Sequence, residues 1–199
     1  MDLPVGRAMW VVNLDAPAVV LGSTQADSDV DPDAATALGL QVARRRSGGG
    51  LVWLDPDATT WIDVTVTPDD PMWSRDVVTS SLWLGRVFAD ALAAGEGDER
   101  PAVWDGVYEA GEYGRSLCFA GRAPGEVFMA GGKLVGISQR RSRDMARFQC
   151  VVHHRWDPDR FARVFADPAV RTAAGELAVA ETHLSHAGVV AAVLAHLPA

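Results

Sequence analysis

The sequence predicts an α+β domain, a mostly antiparallel sheet core flanked by helices. Three observations carry this. Short runs rich in β-branched and aromatic residues recur from one end of the chain to the other. Hairpin spacings outnumber strand–helix–strand units, which favours antiparallel pairing over a doubly wound parallel sheet. Helical periodicity is confined to a few segments, the strongest at residues 76–94. At 199 residues and 48% hydrophobic composition, the chain reads as a single domain, residues 1–199, with a sizeable core and no C-terminal accessory domain.

Taken in order, residues 8–14 and 18–22 read as strands broken by Asp15-Ala16-Pro17. Residues 31–38 make a short helix with Asp31 as N-cap, Pro32 at N1 and Gly39 as its stop. A strand at 41–45 runs into Ser47-Gly48-Gly49-Gly50, and 51–54 and 60–67 read as a strand pair. In the helix at 76–94, Val77, Leu84, Val87, Phe88, Ala91 and Leu92 recur at helical spacing. A polar loop follows at 96–100. Further strands are expected at 103–107, 126–129, 134–139 and 148–154, with Gly131-Gly132 as a hairpin turn. An Asp-Pro pair opens a helix at 157–165, and 173–197 carries helical pattern in two pieces.

Composition narrows the function classes. The formal charge of −8 argues against nucleic acid or an anionic membrane as the main partner. No apolar stretch reaches transmembrane length, and Met1-Asp2-Leu3-Pro4 does not open a signal peptide. A cytoplasmic protein is expected, with Cys118 and Cys150 as free thiols. No Cys/His cluster has zinc-like spacing. His183 and His186, three apart on an expected helix, lack further ligands nearby, so no metal site is predicted. The positive charge is uneven: Arg44, Arg45 and Arg46 form one cluster and Arg140, Arg141, Arg143 and Arg147 another, which suits a small anionic ligand.

Lys133 is the sole lysine among eighteen strong bases. It sits in Gly131-Gly132-Lys133-Leu134-Val135-Gly136, at the start of the strand after the expected hairpin. An ammonium is a compact point charge and a guanidinium a broad fork, so a narrow site against a phosphate or carbonyl oxygen can demand the first. Arg44-Arg45-Arg46-Ser47-Gly48-Gly49-Gly50 is a second candidate: three glycines let the backbone approach a ligand and converge its N–H groups on an anion, with arginines adding charge-assisted bonds. It fits neither GxxxxGK[ST] nor GxGxxG. The third is Arg115-Ser116-Leu117-Cys118-Phe119 with Pro124-Gly125-Glu126 after it. There Cys118 is a candidate nucleophile if a cation favours its thiolate.

These three segments, RRRSGGG followed by a hydrophobic strand and Asp55, then CF…GE…GGKLVGISQRR, then a strand and an Asp-Pro helix, resemble the lipoate–protein ligase A family. Its wider class comprises biotin/lipoate protein ligases and lipoyl/octanoyl transferases. The resemblance covers roughly residues 21–165. It implies a biotin/lipoate ligase-like catalytic domain that activates lipoate, or a related acyl acid, with ATP and Mg²⁺ to an acyl-adenylate. The acyl group would then pass to a lysine of a lipoyl-acceptor protein domain, with a separate accessory polypeptide as a possible partner. It implies that Arg45, Ser47, Gly48, Gly49, Gly50 and the Leu51-Val52-Trp53 backbone bind nucleotide. Lys133 would reach both the acyl carbonyl and the phosphate, and Arg140 would lie nearby on its strand. Two alternatives stand beside this: a cysteine-dependent octanoyl or lipoyl transferase using Cys118, and a non-catalytic binder of an acyl or adenylate ligand. The chain departs from the family pattern at Leu54, where a His is usual, and at Phe148-Gln149-Cys150, where a His-Gly pair is common. Trp10, Trp53, Trp61 and Phe128 are candidates for an apolar slot.

Overall fold

The computed structural model describes residues 6–95 and 99–198. Its strands are β1 (Arg7–Val12), β2 (Ala18–Leu21), β3 (Gln41–Arg44), β4 (Val52–Leu54), β5 (Thr59–Val66), β6 (Ala102–Val103), β7 (Val127–Met129), β8 (Gly132–Arg141) and β9 (Ala146–His153). The helices are α1 (Pro32–Ala37), α2 (Leu82–Ala93), α3 (Pro158–Ala162), α4 (Pro168–Gly175) and α5 (His186–His196). Six strands form a large sheet in the order β1-β5-β9-β8-β7-β6, antiparallel throughout. A small sheet, β3-β2-β4, pairs β2 parallel to β3 and antiparallel to β4. This is the expected α+β architecture.

The period of two along each strand builds the layers. In the small sheet, Val19, Leu21 and Trp53 turn outward and pack with Phe161 of α3 and Phe165 after it. Val20, Val52 and Leu54 turn the other way and meet Trp61, Phe119 and Val151 in the space between the sheets. The far face of the large sheet, with Ile62, Val64, Leu134, Val135 and Phe148, is covered by Leu84, Phe88 and Leu92 of α2 and Val189 and Val193 of α5. Helix starts follow local chemistry. Asp31, Asp157 and Asp167 each cap a helix that opens with Pro at N1, their carboxylates accepting first-turn N–H groups.

Several expectations are corrected. The first two runs do not pair with each other: β1 lies beside β5 in the large sheet and β2 in the small one, with Asp15-Ala16-Pro17 carrying the chain between sheets. The expected 51–54/60–67 pair divides the same way, and β4 pairs β2 while β5 pairs β1 and β9. Alternation identifies a strand but not its neighbour, so a change of sheet across a short turn looks like a hairpin. The longest helix begins at Leu82, because the Asp76 carboxylate bonds the Val78 N–H and the Thr79 hydroxyl and holds 76–81 in turns. Of the run at 103–107 only Val103 joins the sheet, in the two-residue strand Ala102–Val103. The loop at 96–100 lies partly outside the described residues.

His183 and His186 do not share a helix, since α5 begins at His186 after its cap Ser185. Among the described residues, no three His, Cys, Asp or Glu side chains could hold a metal ion. Both thiols are free, and burial, with the negative charge of Asp63 adding to it, pushes that of Cys150 well up. No helix among the described residues is long and apolar enough to cross a membrane.

Candidate active site

The glycine loop joins β3 to β4 and is held from below by Arg45. That side chain is buried, and its guanidinium donates to the carbonyls of Val20 (3.0 Å), Gly48 (2.8 Å) and Gly50 (2.8 Å). The most interior of the three arginines therefore shapes the loop. Ser47 ties it to the large sheet, donating to Gln149 Oε1 of β9 at 2.7 Å and lying 3.1 Å from Ser138 Oγ of β8. Gly50 is required by contact. A Cβ there would come 2.5 Å from the Leu117 nitrogen, because segment 116–118 presses on the loop through Leu51 N–H to Ser116 O (2.8 Å) and Cys118 N–H to Leu51 O (3.1 Å). Of the strand that follows, Leu51 and Trp53 enter the helix-covered core, whereas Val52 faces the space between the sheets.

Lys133 stands opposite. The β7–β8 hairpin, whose register pairs Phe128 with Lys133, carries it into the interior, where it is 2% exposed. Its Nζ donates to the Cys118 carbonyl at 2.9 Å and to the Glu126 carboxylate at 2.7 Å. The rings of Phe119 and Phe128 lie 5.4 and 5.8 Å from Nζ, close enough for cation–π attraction. Burial pushes the Glu126 carboxyl up, and the Lys133 charge offsets part of that. Around Nζ is a chamber of about 250 Å³, bordered by Gly48, Gly49, Tyr108, Cys118, Arg122 and Ser138.

A wide cleft of about 730 Å³ lies on the other side of the loop. Val20, Leu54 and Trp61 give it an apolar wall, and Arg44, Arg46, Arg140 and Arg147 rim it. The two sequence clusters of arginine thus converge on one opening. A small pocket of about 10 Å³, lined by Trp61, Phe119, Cys118, Ser138 and Gln149, shares Trp61 and Gln149 with the cleft and Cys118 and Ser138 with the chamber. Arg140, exposed near the end of β8, borders the cleft and not the chamber. Of the aromatic candidates, Trp61 lines the small pocket and Phe128 flanks Lys133, but Trp53 is core and Trp10 is 45% exposed on edge strand β1.

Behind the small pocket, His153 is fully buried between the rings of Phe119 and Trp156, each 5.0 Å away between centroids. Burial, with a smaller contribution from His154, lowers its pKa to about 3, so the imidazole is neutral.

Cys118 borders both the small pocket and the chamber, and its Sγ lies 3.9 Å from Arg45 Nη2. Glu126, Gln149, Tyr108 and Arg122 were given no role by the sequence reading. For Glu126 a signal existed: an acid seven residues before the lone lysine, on the opposite arm of an expected hairpin. The rest are brought in by tertiary packing. Chemically, the chamber borders a buried ammonium, beside a cleft with an apolar wall and a cationic rim.

The lipoyl protein ligase A/B catalytic domain matches residues 5–197, and the chain belongs to that family, which places it among enzymes of the lipoate ligase-like class. No curated protein sequence matches it. Among solved structures, the chain is similar to a bi-partite lipoate protein ligase from Thermoplasma acidophilum, with TM-score 0.69, 19% identity and coverage of 96% of this chain and 68% of that one. A lipoate-protein ligase A bound with ATP gives 0.67 and 19%, covering 91% and 67%. LipL1 of P. falciparum in complex with lipoate gives 0.65 and 12%, covering 96% of this chain and 46% of that one. At these identities the likeness is one of fold.

Proposed function

We propose that the protein activates lipoate, or an acyl acid of similar shape, with ATP to an acyl-adenylate and passes the acyl group to a lysine of an acceptor protein domain. The observation that supports this most is the buried Lys133 ammonium. Its Nζ lies 2.9 Å from Cys118 O and 2.7 Å from the Glu126 carboxylate, at the border of a chamber an oxygen of the ligand could enter. In the first step, a carboxylate oxygen of the acid attacks the α-phosphorus and pyrophosphate leaves. Negative charge builds on the phosphoryl oxygens beside a fixed cation in a dry site, where electrostatic stabilisation is strongest. In the second, the acceptor amine attacks the acyl carbonyl, whose oxygen the same ammonium polarises, and AMP leaves with the phosphate oxygen.

The apolar wall of the cleft at Val20, Leu54 and Trp61 suits an acyl tail, and the cationic rim suits phosphates. Mg²⁺ would arrive on those phosphates, as it commonly does where few carboxylates are at hand. A separate accessory polypeptide joins this reading through the likeness to a bi-partite ligase. A second reading rests on Cys118 Sγ, which faces the chamber beside Arg45: a thioester-forming transferase, with Lys133 polarising the carbonyl.

The test is incubation with ATP and lipoate, then mass spectrometry of the native protein. Bound lipoyl-adenylate supports the ligase. Acyl transfer from a thioester donor without ATP, lost in Cys118→Ser, supports the transferase instead. Neither product would leave a binder of acyl or adenylate groups.

A further inference from the structure

Lys133 is a charged group in a place that resists charge. With 1% of its side chain exposed and two phenyl rings nearby, an unpaired ammonium there would be costly and would tend to shed its proton. The other polar groups bordering the chamber do not offset it: Arg122 is a second cation, and Tyr108 and Cys118 are ordinarily neutral. Arg45, beside Cys118, adds more positive charge. Glu126 is the single acid among the residues lining the chamber.

Its mounting is unusually firm. Glu126 Oε2 accepts the Ala123 N–H at 2.8 Å, and its backbone carbonyl accepts the Trp104 N–H at 2.8 Å. The preceding Gly125 has φ of +91° and lies against the first turns of α2, where a Cβ would be 2.7 Å from the Ser81 backbone. Ser81 Oγ also donates to Pro124 O at 2.6 Å. The Pro124-Gly125-Glu126 stretch is therefore seated on a core helix, and the carboxylate cannot follow the lysine if the lysine moves.

We propose that Glu126 is a positioning residue: its fixed carboxylate keeps Lys133 charged and holds the ammonium at the border of the chamber, where an incoming oxygen meets it. This rests on the ligase reading only for the name of that oxygen, a carboxylate or α-phosphate. The charge-holding role stands without it.

The chain supplies its own probe, because labelling with [¹³Cε]lysine gives one side-chain signal, that of Lys133. The experiment follows that signal against pH in wild type, Glu126→Gln and Glu126→Asp. Gln keeps an acceptor but loses the charge, so its titration midpoint should lie at least one pH unit below wild type. Asp keeps the charge and should titrate within half a unit of wild type while making adenylate more slowly at every pH. Coincident curves for wild type and Gln would overturn the proposal, as would Asp following Gln. If Glu126→Gln does not fold, the wild-type and Asp pair decides: a midpoint lowered in Asp as well sinks the idea. The titration is independent of turnover, so a protein that makes no adenylate but shows the shift refutes the ligase reading and leaves this one standing.

Discussion

The Lys133 chamber and the arginine-rimmed cleft lie on opposite sides of one glycine loop and treat positive charge in opposite ways. The chamber holds a single ammonium at 2% exposure, neutralised by one carboxylate within a space of about 250 Å³. The cleft is about three times larger and is rimmed by guanidinium groups in contact with water, Arg46 and Arg140 among them. Coulomb attraction at a given distance is several-fold stronger where water is excluded. One buried charge could therefore govern a chemical step, while several exposed ones would attract an anion weakly and from a wider range. The difference also accounts for residue choice: an exposed rim accepts a broad fork, whereas the buried place taken by Lys133 suits a point charge.

The strongest way to break this contrast is Lys133→Arg. It keeps the charge but not the shape, and it should lower acyl-adenylate formation by about a hundredfold or more, a loss on the order of 3 kcal/mol of transition-state stabilisation. Lys133→Met should lose at least as much. Single-turnover rates measured beside melting curves check this, and near-normal activity in the Arg variant would make the lone lysine an accident of composition.

The wall behind the chamber gives the next largest effect, on stability. His153 stays neutral in the fold down to about pH 3, while its unfolded value is 6.5. As pH falls below 6.5 the unfolded chain takes up a proton that the folded one refuses, so stability is lost between pH 6.5 and 3 and is fully present above. At pH 4.5 the loss should be roughly 2 to 3 kcal/mol from this group. Urea unfolding of wild type and His153→Phe at pH 7.5 and 4.5 measures it, and the Phe variant should lack that part of the slope. Equal pH dependence in the two proteins would mean the buried imidazole takes up its proton in the fold through a hydrogen-bond acceptor.

Gly50→Ala sharpens the contrast from the loop itself. A methyl group 2.5 Å from the Leu117 nitrogen forces the loop and segment 116–118 apart, at a cost of about 2 kcal/mol. It also moves the Cys118 carbonyl that holds Lys133 Nζ. Both melting temperature and turnover should fall, and a variant of unchanged stability would show that the two segments separate freely.

The smallest effects belong to the rim. Arg46→Gln and Arg140→Gln should each weaken nucleotide affinity only about two- to fivefold, and raising the salt concentration should erase the difference from wild type. Loss at Lys133 should not respond to salt. Calorimetric titration at two ionic strengths separates the two behaviours.

Much of this layout was legible in the sequence, and for identifiable reasons. Asp31-Pro32 and Asp157-Pro158 announce helix starts because cap and N1 preferences are local. Asp167-Pro168 carries the same signal, yet α4 was expected some five residues later, where apolar periodicity is easier to see. The hairpin before the lone lysine was equally plain, but its turn falls one residue earlier than Gly131-Gly132, at Ala130-Gly131, because Gly132 already pairs with Met129 as the first residue of β8. Sheet membership was not legible, since β1 and β2 alternate alike and differ only in which distant strand they meet. The site shows the same division. Ser47 and Cys118 were singled out from motifs, but that Arg45 turns inward to three carbonyls, or that Gln149 of β9 fastens the loop, depends on partners up to 102 residues away.

The burial of the single lysine has one more consequence. An activated acyl group is an indiscriminate electrophile, and the amines most exposed to it belong to the protein that makes it. Here every surface cation is a guanidinium, a poor nucleophile because it remains protonated. The one side-chain amine is buried and paired with Glu126. In an enzyme that activates acyl groups, such a surface would present no exposed side-chain amine to acylate before the acceptor arrives.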